Sequence, residues 1–297
     1  MFKFLNRLFR KKKKEITVPE VNPIPKRVQE HYDYLIAAGY EVVAVILQGS
    51  QNYNLDEYSK DYQSDVDTKA IIVPSLEDII LNRAPVSTTI VLDNQEHIDI
   101  KDIRVMCDNW RKMNISYIEL LYSKYKVVNE KYRDLIDTLI SGRKDLLAAD
   151  RIKFVNGLCG MAYEKRKALC HPYPATIEKI EKYGYDGKQL SHCYRLHRLL
   201  RAYIWNWPLF DLGEELWVTG QARETMMEFK KQKYKKELLS AEEAVKIADM
   251  LVTACQQDKE MFKKYYNVAS DRKNIAEAIL VDFQTQVISR RLREELK

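Results

Sequence analysis

The chain has 297 residues, 46% hydrophobic and 31% charged, enough to bury a sizeable core without a metal or cofactor to hold it together. Its formal charge of +6 is local: residues 1–14 carry Lys3, Arg7, Arg10 and Lys11 to Lys14 and no acid, so residues 15–297 sum to −1. That balance excludes a broad basic groove for nucleic acid and confines any polynucleotide contact to a local patch or to the tail.

No apolar run approaches the ~20 residues of a membrane span, and the first residues carry charge where a secretory signal needs an apolar stretch. A cytoplasmic protein is expected. Five cysteines (Cys107, Cys159, Cys170, Cys193, Cys255) lie far apart with no CxxC pair, which predicts reduced, mostly buried thiols rather than a disulfide framework or a zinc site.

In chain order, Phe2, Phe4, Leu5, Leu8 and Phe9 interleave with the cations of the tail, as in a short helix lying on RNA or an anionic membrane; a solvated tail is the plainer reading. Pro19, Pro23 and Pro25 separate it from a helix over 26–38 that ends near Gly39. A buried strand (41–47), a Gly49-Ser50 turn, a polar loop through 63 and a second strand (65–73) stopped by Pro74 follow. Ser75 caps a helix over 75–83, and residues 88–93 and 97–101 read as a hairpin around Asn94-Gln95. From Asp102 onward helical spacing takes over, at 102–113, 116–122, 130–141, 149–169, 187–206, 240–267 and 272–296. The class is therefore α+β, a lobe with a small mixed sheet followed by a helical lobe. The divisions are a tail and linker over 1–24, an α/β domain over 25–130 and a helical domain over 131–297.

The chemistry sits in the acids. Side chains alternate along a strand, so Asp65, Asp67 and Lys69 share a face, as do His97, Asp99 and Lys101, with Ile98 and Ile100 packing behind. If the two strands are neighbours, Asp99 joins Asp65 and Asp67, and three carboxylates can hold two divalent cations about 3.5–4 Å apart for phosphoryl transfer. Gly49 lets backbone approach a phosphate and Ser50 adds a hydroxyl donor at a short helical turn. Each part alone is weak, an acid pair on a strand being more often a solvated face; the order of the parts is the signal.

On the 187–206 helix, Lys188, His192 and Arg195 fall within about 60° of one another, opposite Leu190, Cys193, Tyr194, Leu200 and Ile204. Turned to the cleft, Lys188 and Arg195 would bind a triphosphate and His192 a phosphate or the base; turned outward they are a solvated face. His197 reads as a packed core histidine. Tyr53 is a candidate for stacking on a base. Glu119, between apolar residues, is expected to pair with a Lys or Arg.

Together these residues resemble the DNA polymerase β nucleotidyltransferase superfamily, which shares a Gly-Ser, an Asp-x-Asp strand and a later acid between apolar residues. More narrowly, Gly49-Ser50-Gln51-Asn52-Tyr53-Asn54-Leu55 with Ser64-Asp65-Val66-Asp67-Thr68-Lys69 is similar to the RNA-ligase-associated (RlaP-type, YcgL) branch. Asp99-Ile100-Lys101-Asp102-Ile103-Arg104, Asn114 and Ile118-Glu119-Leu120-Leu121 agree, as do Tyr185-Asp186-Gly187-Lys188, Ser191-His192 and Arg195-Leu196. The likeness covers roughly residues 41–205. It implies a transferase that uses two Mg²⁺ ions to move a nucleoside monophosphate from an NTP to an acceptor hydroxyl with release of pyrophosphate. Asp65, Asp67 and Asp99 would be the catalytic metal ligands, and Gly49, Ser50, Lys188, His192 and Arg195 would bind the nucleotide. The association with RNA ligases favours an RNA 3′ end as acceptor; the near-neutral body favours a small molecule or a protein side chain. A non-catalytic module that senses nucleotide or binds RNA is the competing reading.

Overall fold

The computed structural model describes residues 23–57, 64–266 and 272–297. The basic tail, and the reading that places it on RNA or membrane, lies outside the described residues.

Helix α1 (Ile24–Ala37) buries Ile24, Val28, His31 and Leu35 along one stripe and is stopped by Gly39, whose φ of +85° suits only glycine. The chain then enters β1 (Val42–Gln48), turns through a single 3₁₀ turn (Ser50–Tyr53), and returns as β2 (Asp67–Ile72), antiparallel to β1. A short helix α2 (Leu76–Ile80), capped by Ser75 as expected, and strand β3 (Ser87–Val91) supply the crossover that lets β4 (His97–Asp102) run parallel to β2. The sheet order is β3-β4-β2-β1-β5, with β5 (Lys126–Val128), unforeseen in the sequence, on the far edge.

Alternation divides this sheet cleanly. Val45, Leu47, Ala70, Ile72, Ile98 and Ile100 point to α1 and form one core with Val28 and Leu35. Ile46 and Ile71 point the other way, into a larger core shared with the helices. Each of the Val, Leu and Ile side chains among these, fully buried, contributes about 1.5–3 kcal/mol of hydrophobic stabilisation.

The helices are α3 (Ile103–Arg111), α4 (Ile115–Ile118), α5 (Arg133–Ser141), α6 (Arg143–Ala148), α7 (Arg151–Ala168), α8 (Ile177–Tyr183), α9 (Gly187–Trp205), α10 (Leu212–Leu216), α11 (Gly220–Lys230), α12 (Ala241–Tyr265) and α13 (Arg272–Glu295). The single helix expected over 116–122 is α4 followed by a 3₁₀ turn, Glu119–Tyr122, in which Glu119 is buried. Helices α6, α8, α10 and α11, and the two-residue hairpin β6 (Lys233–Tyr234) and β7 (Glu237–Leu238), were not anticipated; most are short, with too few turns for a periodicity.

Helix α13 returns to the first lobe. Its Phe283 meets Trp110 of α3 edge-on at 6.1 Å, and Arg291 pairs with Glu41 at 2.8 Å. The larger core therefore runs unbroken from Ile46 of the sheet to Val287 of the last helix, across the boundary placed at residue 130. Four of the five cysteines are buried, Cys170 is half-buried, and all are free. Among the described residues no helix is long and apolar enough to cross a membrane.

Three histidines set a pH dependence. Burial lowers the pKa of His31, of His197 and, most strongly, of His192 below the ordinary value of 6.5. The unfolded chain therefore binds more protons below that pH, so the stability these groups contribute is complete above about pH 6.5 and declines as pH falls toward their folded values. Glu41 and Glu96, whose pKa values are lowered by their cationic partners against the opposing effect of burial, add a further loss below about pH 4.5. Urea unfolding should give a lower midpoint at pH 5.5 than at pH 7.5 with the same slope; equal midpoints contradict the assignment.

Candidate active site

Strand β1 ends at Gln48, and Gly49 turns the chain with φ +95° and ψ −158°, a conformation closed to residues with a Cβ. The turn that follows is tied on every side. Asn52 Nδ2 donates to Leu47 O at 2.7 Å and Gln51 Nε2 to Asp65 O at 2.6 Å, so the Gly-Ser turn and the acid segment are one unit. From the helical lobe, Val218 N donates to Tyr53 O at 3.1 Å, Arg223 Nε to Asn54 O at 2.7 Å and Lys230 Nζ to Leu55 O at 2.6 Å. Helix α11 thus holds the turn and delivers a cation beside it.

A second anchor fixes the start of β2. Glu96 accepts from Arg27 and from His31 Nε2 (3.0 Å), and its other oxygen accepts from Val66 N at 3.3 Å. The Thr68 hydroxyl completes the neutral imidazole at Nδ1, 2.9 Å away. Sequence reasoning missed Glu96 and His31, which orient Asp65 and Asp67 from behind without touching the cleft.

Asp65 lies just before β2, exposed, and Asp67 opens the strand, half-buried. Both line a cleft of about 350 Å³ together with Gly49 and Ser50. Desolvation and the charge of Asp67 raise the Asp65 pKa, with Lys188 acting the other way. Two carboxylates that repel each other beside open space fit a divalent cation.

Asp99 does not join them. The parallel register sets Lys69 opposite Asp99, so the β4 residue beside Asp67 is His97, whose backbone N–H and Nδ1 both lie 3.0 Å from Asp67 Oδ1. The Asp99 carboxylate is held by Lys69 and, at 2.8 Å, by Lys101, and these ammonium groups outweigh burial to keep its pKa low. Lys69 is itself 4% exposed and lies 4.6 Å from the Tyr117 ring. The expected third metal ligand is therefore the counter-ion of two lysines. Among the described residues no group of three His, Cys, Asp or Glu side chains is placed to hold a metal ion.

The cationic stripe of α9 is divided as well. Lys188 and His192 face the cleft with Asp65 and Asp67. Arg195 lies deeper, 6% exposed, with its guanidinium 3.9 Å from the Tyr53 ring centroid and 3.5 Å from Glu119 Oε2. Tyr53 donates its hydroxyl to Glu119 Oε1, and burial raises the phenol pKa, so it stays protonated. The ring proposed to stack on a base is covered by Arg195, and Glu119 has the basic partner its setting requires. His197, expected to be a packed core histidine, is only half-buried and is not among the buried residues.

Three cations absent from the sequence reading complete the wall: Lys179, Lys230 and Lys231. Burial and the nearby Lys188 lower the Lys230 pKa, and His192 is held neutral by burial and by Arg195, Lys165, Lys188 and Lys230 around it. Lysines are too common in this chain to single these out; Lys179 lies in α8, Lys230 ends α11 and Lys231 follows it, and the sequence reveals neither helix.

The approach of α11 to α9 depends on Gly187, the first residue of α9, capped by Asp186 (Lys188 N to Asp186 Oδ1, 3.1 Å). A Cβ there would overlap the carbonyl oxygen of Phe229 and sit 3.2 Å from Gln232 Nε2. Gly187→Ala should cost about 1–3 kcal/mol by forcing the two helices apart, readable as a lower denaturation midpoint. An unchanged midpoint would show that the approach has slack.

The fold and site define an α+β chain with acids and a Gly-Ser turn on the sheet side of a cleft and lysines on the helical side. No model of a known protein family matches the chain, and no curated protein matches it. Among solved structures it is similar to a nucleotidyltransferase-like protein from Exiguobacterium sibiricum 255-15, with a TM-score of 0.33 and 10% identity over 89% of this chain and 88% of that one. A likeness at that level adds nothing to the reading of the site, which stands on the residues.

Proposed function

We propose that the chain is a nucleotidyltransferase that moves a nucleoside monophosphate from an NTP to an acceptor hydroxyl, releasing pyrophosphate. One observation carries this reading: Asp65 and Asp67 face Lys188 and Lys230 across the cleft at the Gly49-Ser50 turn. A phosphate chain with a bound cation suits such a site, because its cation is drawn to the acids and its terminal phosphates to the lysines.

Asp65 and Asp67 would hold Mg²⁺, which supplies charge neutralisation at the transferring phosphate. Gly49 leaves room for phosphate against the backbone, and Ser50 offers its hydroxyl. Lys188 and Lys230 stabilise the charge that collects on pyrophosphate as it leaves, while Lys179 and Lys231, which also line the cleft, are paired with Asp186 and Glu57. His97 orients the Asp67 carboxylate. The RNA 3′ end suggested by the resemblance finds less support than a compact acceptor, since these cations are gathered inside the cleft.

The experiment is transfer of label from α-³²P NTPs with Mg²⁺, paired with calorimetry of a non-hydrolysable NTP analogue. The Lys188→Met/Lys230→Met double variant should weaken analogue binding about 10- to 100-fold, as expected when two cations that meet phosphate are removed. Unchanged affinity in that variant, or no transfer by the wild type to any acceptor in a cell extract, contradicts the proposal; analogue binding with no transfer favours a nucleotide sensor.

A further inference from the structure

A second cleft, of about 710 Å³, shares Gly49, Tyr53, Asp67 and His192 with the first, so these four residues form a common boundary between the two. Its other walls include Lys112 and Asn114, from the α3–α4 connection, and Gly157, Gly160, Glu164 and Lys165, spaced along one face of α7.

Two features of that face are not accounted for by packing or ion pairing among the described residues. Gly160 sits in the interior of α7, where glycine costs about 1 kcal/mol relative to alanine, yet a Cβ there would meet nothing within 4 Å. Its effect is to keep the floor of the cleft clear. Lys165 is half-buried, and among the described residues it has no carboxylate within ion-pair distance; Arg195 and Lys188 act on it as like charges, and the more weakly felt Asp186 as an opposite one. Burial and those two cations lower its pKa, so an anion beside it would favour its charged form.

We propose that this second cleft takes the acceptor, a small hydroxylated compound bearing a carboxylate or phosphate group that Lys165 neutralises, an assignment that rests on the nucleotidyltransferase reading above. With the triphosphate lying toward Lys188 and Lys230, an in-line attack on the α-phosphorus comes from the opposite side of Asp67, where this cleft opens. The acceptor hydroxyl oxygen forms the new bond to the α-phosphorus and the α–β bridging P–O bond breaks. Pyrophosphate leaves with that electron pair, and the hydroxyl proton passes to water. The volume suits a small molecule, such sites spanning about 300–1,000 Å³.

The test uses the full chain with Mg²⁺ and a saturating non-hydrolysable NTP analogue, titrated with glycerate, glycerol 3-phosphate and ribose 5-phosphate. At least one of these should bind the wild type. Lys165→Met, which removes the charge, and Gly160→Leu, which fills the floor while favouring the helix, should each weaken that binding by about tenfold or more and leave analogue affinity within about threefold. If the analogue fails to bind the wild type, the nucleotidyltransferase reading falls and this assignment with it. If the analogue binds but none of the three compounds does, or both variants bind them as the wild type does, or α-³²P label passes only to added RNA, this assignment alone is overturned.

Discussion

Asp67→Asn is expected to lower nucleotidyl transfer by about 100-fold or more while leaving the fold intact, because the amide keeps the shape of the carboxylate and loses only its charge. The Asn carbonyl can still accept from the His97 backbone N–H, which meets Asp67 Oδ1 at 3.0 Å, so the start of β2 stays in place. What disappears is the charge that, with Asp65, would draw a cation to this wall of the cleft in the proposed mechanism. Label transfer and the unfolding midpoint, measured on the same preparation, separate the two effects. Transfer within a few-fold of the wild type would mean that Asp67 is a structural partner of His97. Asp99→Asn should behave differently, with a lowered unfolding midpoint, because Lys69, 4% exposed, then loses the carboxylate that neutralises it.

Glu119→Gln is expected to cost the largest amount of stability of any single substitution near the site, about 3–5 kcal/mol. Glu119 and Arg195 are 5% and 6% exposed, and removing the acid's charge leaves a guanidinium stranded over the Tyr53 ring. The pair is already imperfect: Glu119 Oε2 and Arg195 Nε and Nη1 are buried without a hydrogen-bond partner among the described residues. Replacing the whole cluster with apolar groups, as in Tyr53→Phe/Glu119→Leu/Arg195→Met, should therefore recover most of the loss. Urea unfolding of the wild type, the single variant and the triple variant provides the comparison. A single variant within about 1 kcal/mol of the wild type would show that water or a shift of Arg195 screens the charge.

The sheet lobe was legible in the sequence because its signals are local. The continuous apolar run from Val42 to Leu47, the β-branched run that ends at Val73, Gly39 after a helical stripe, and Pro74 after a strand each report a backbone conformation without reference to the rest of the chain. The Gly49-Ser50 turn and the Asp65/Asp67 pair meet in one cleft because the turn is bonded directly to the acid segment. Asp99 shows the limit of such reasoning. Alternation gives the face of a side chain but not the register between strands, and a register of Lys69 against Asp99 moves the third acid two residues along, away from Asp67. Arg195 shows another: angular position on α9 placed it with Lys188 and His192, but depth depends on what packs above, and here Tyr53 does. The lysine wall was hidden for a further reason, since Lys230 is brought to the site by α11, whose approach rests on the missing side chain of Gly187.

The most direct measurement is a crystal structure of the full chain with Mg²⁺ and a non-hydrolysable NTP. The account predicts the triphosphate between the Gly49-Ser50 turn and Lys188 and Lys230, with a cation bound by Asp65 and Asp67 and Asp99 still paired with Lys69 and Lys101. A nucleotide bound away from this cleft, or in it with no cation at Asp65 and Asp67, would contradict it.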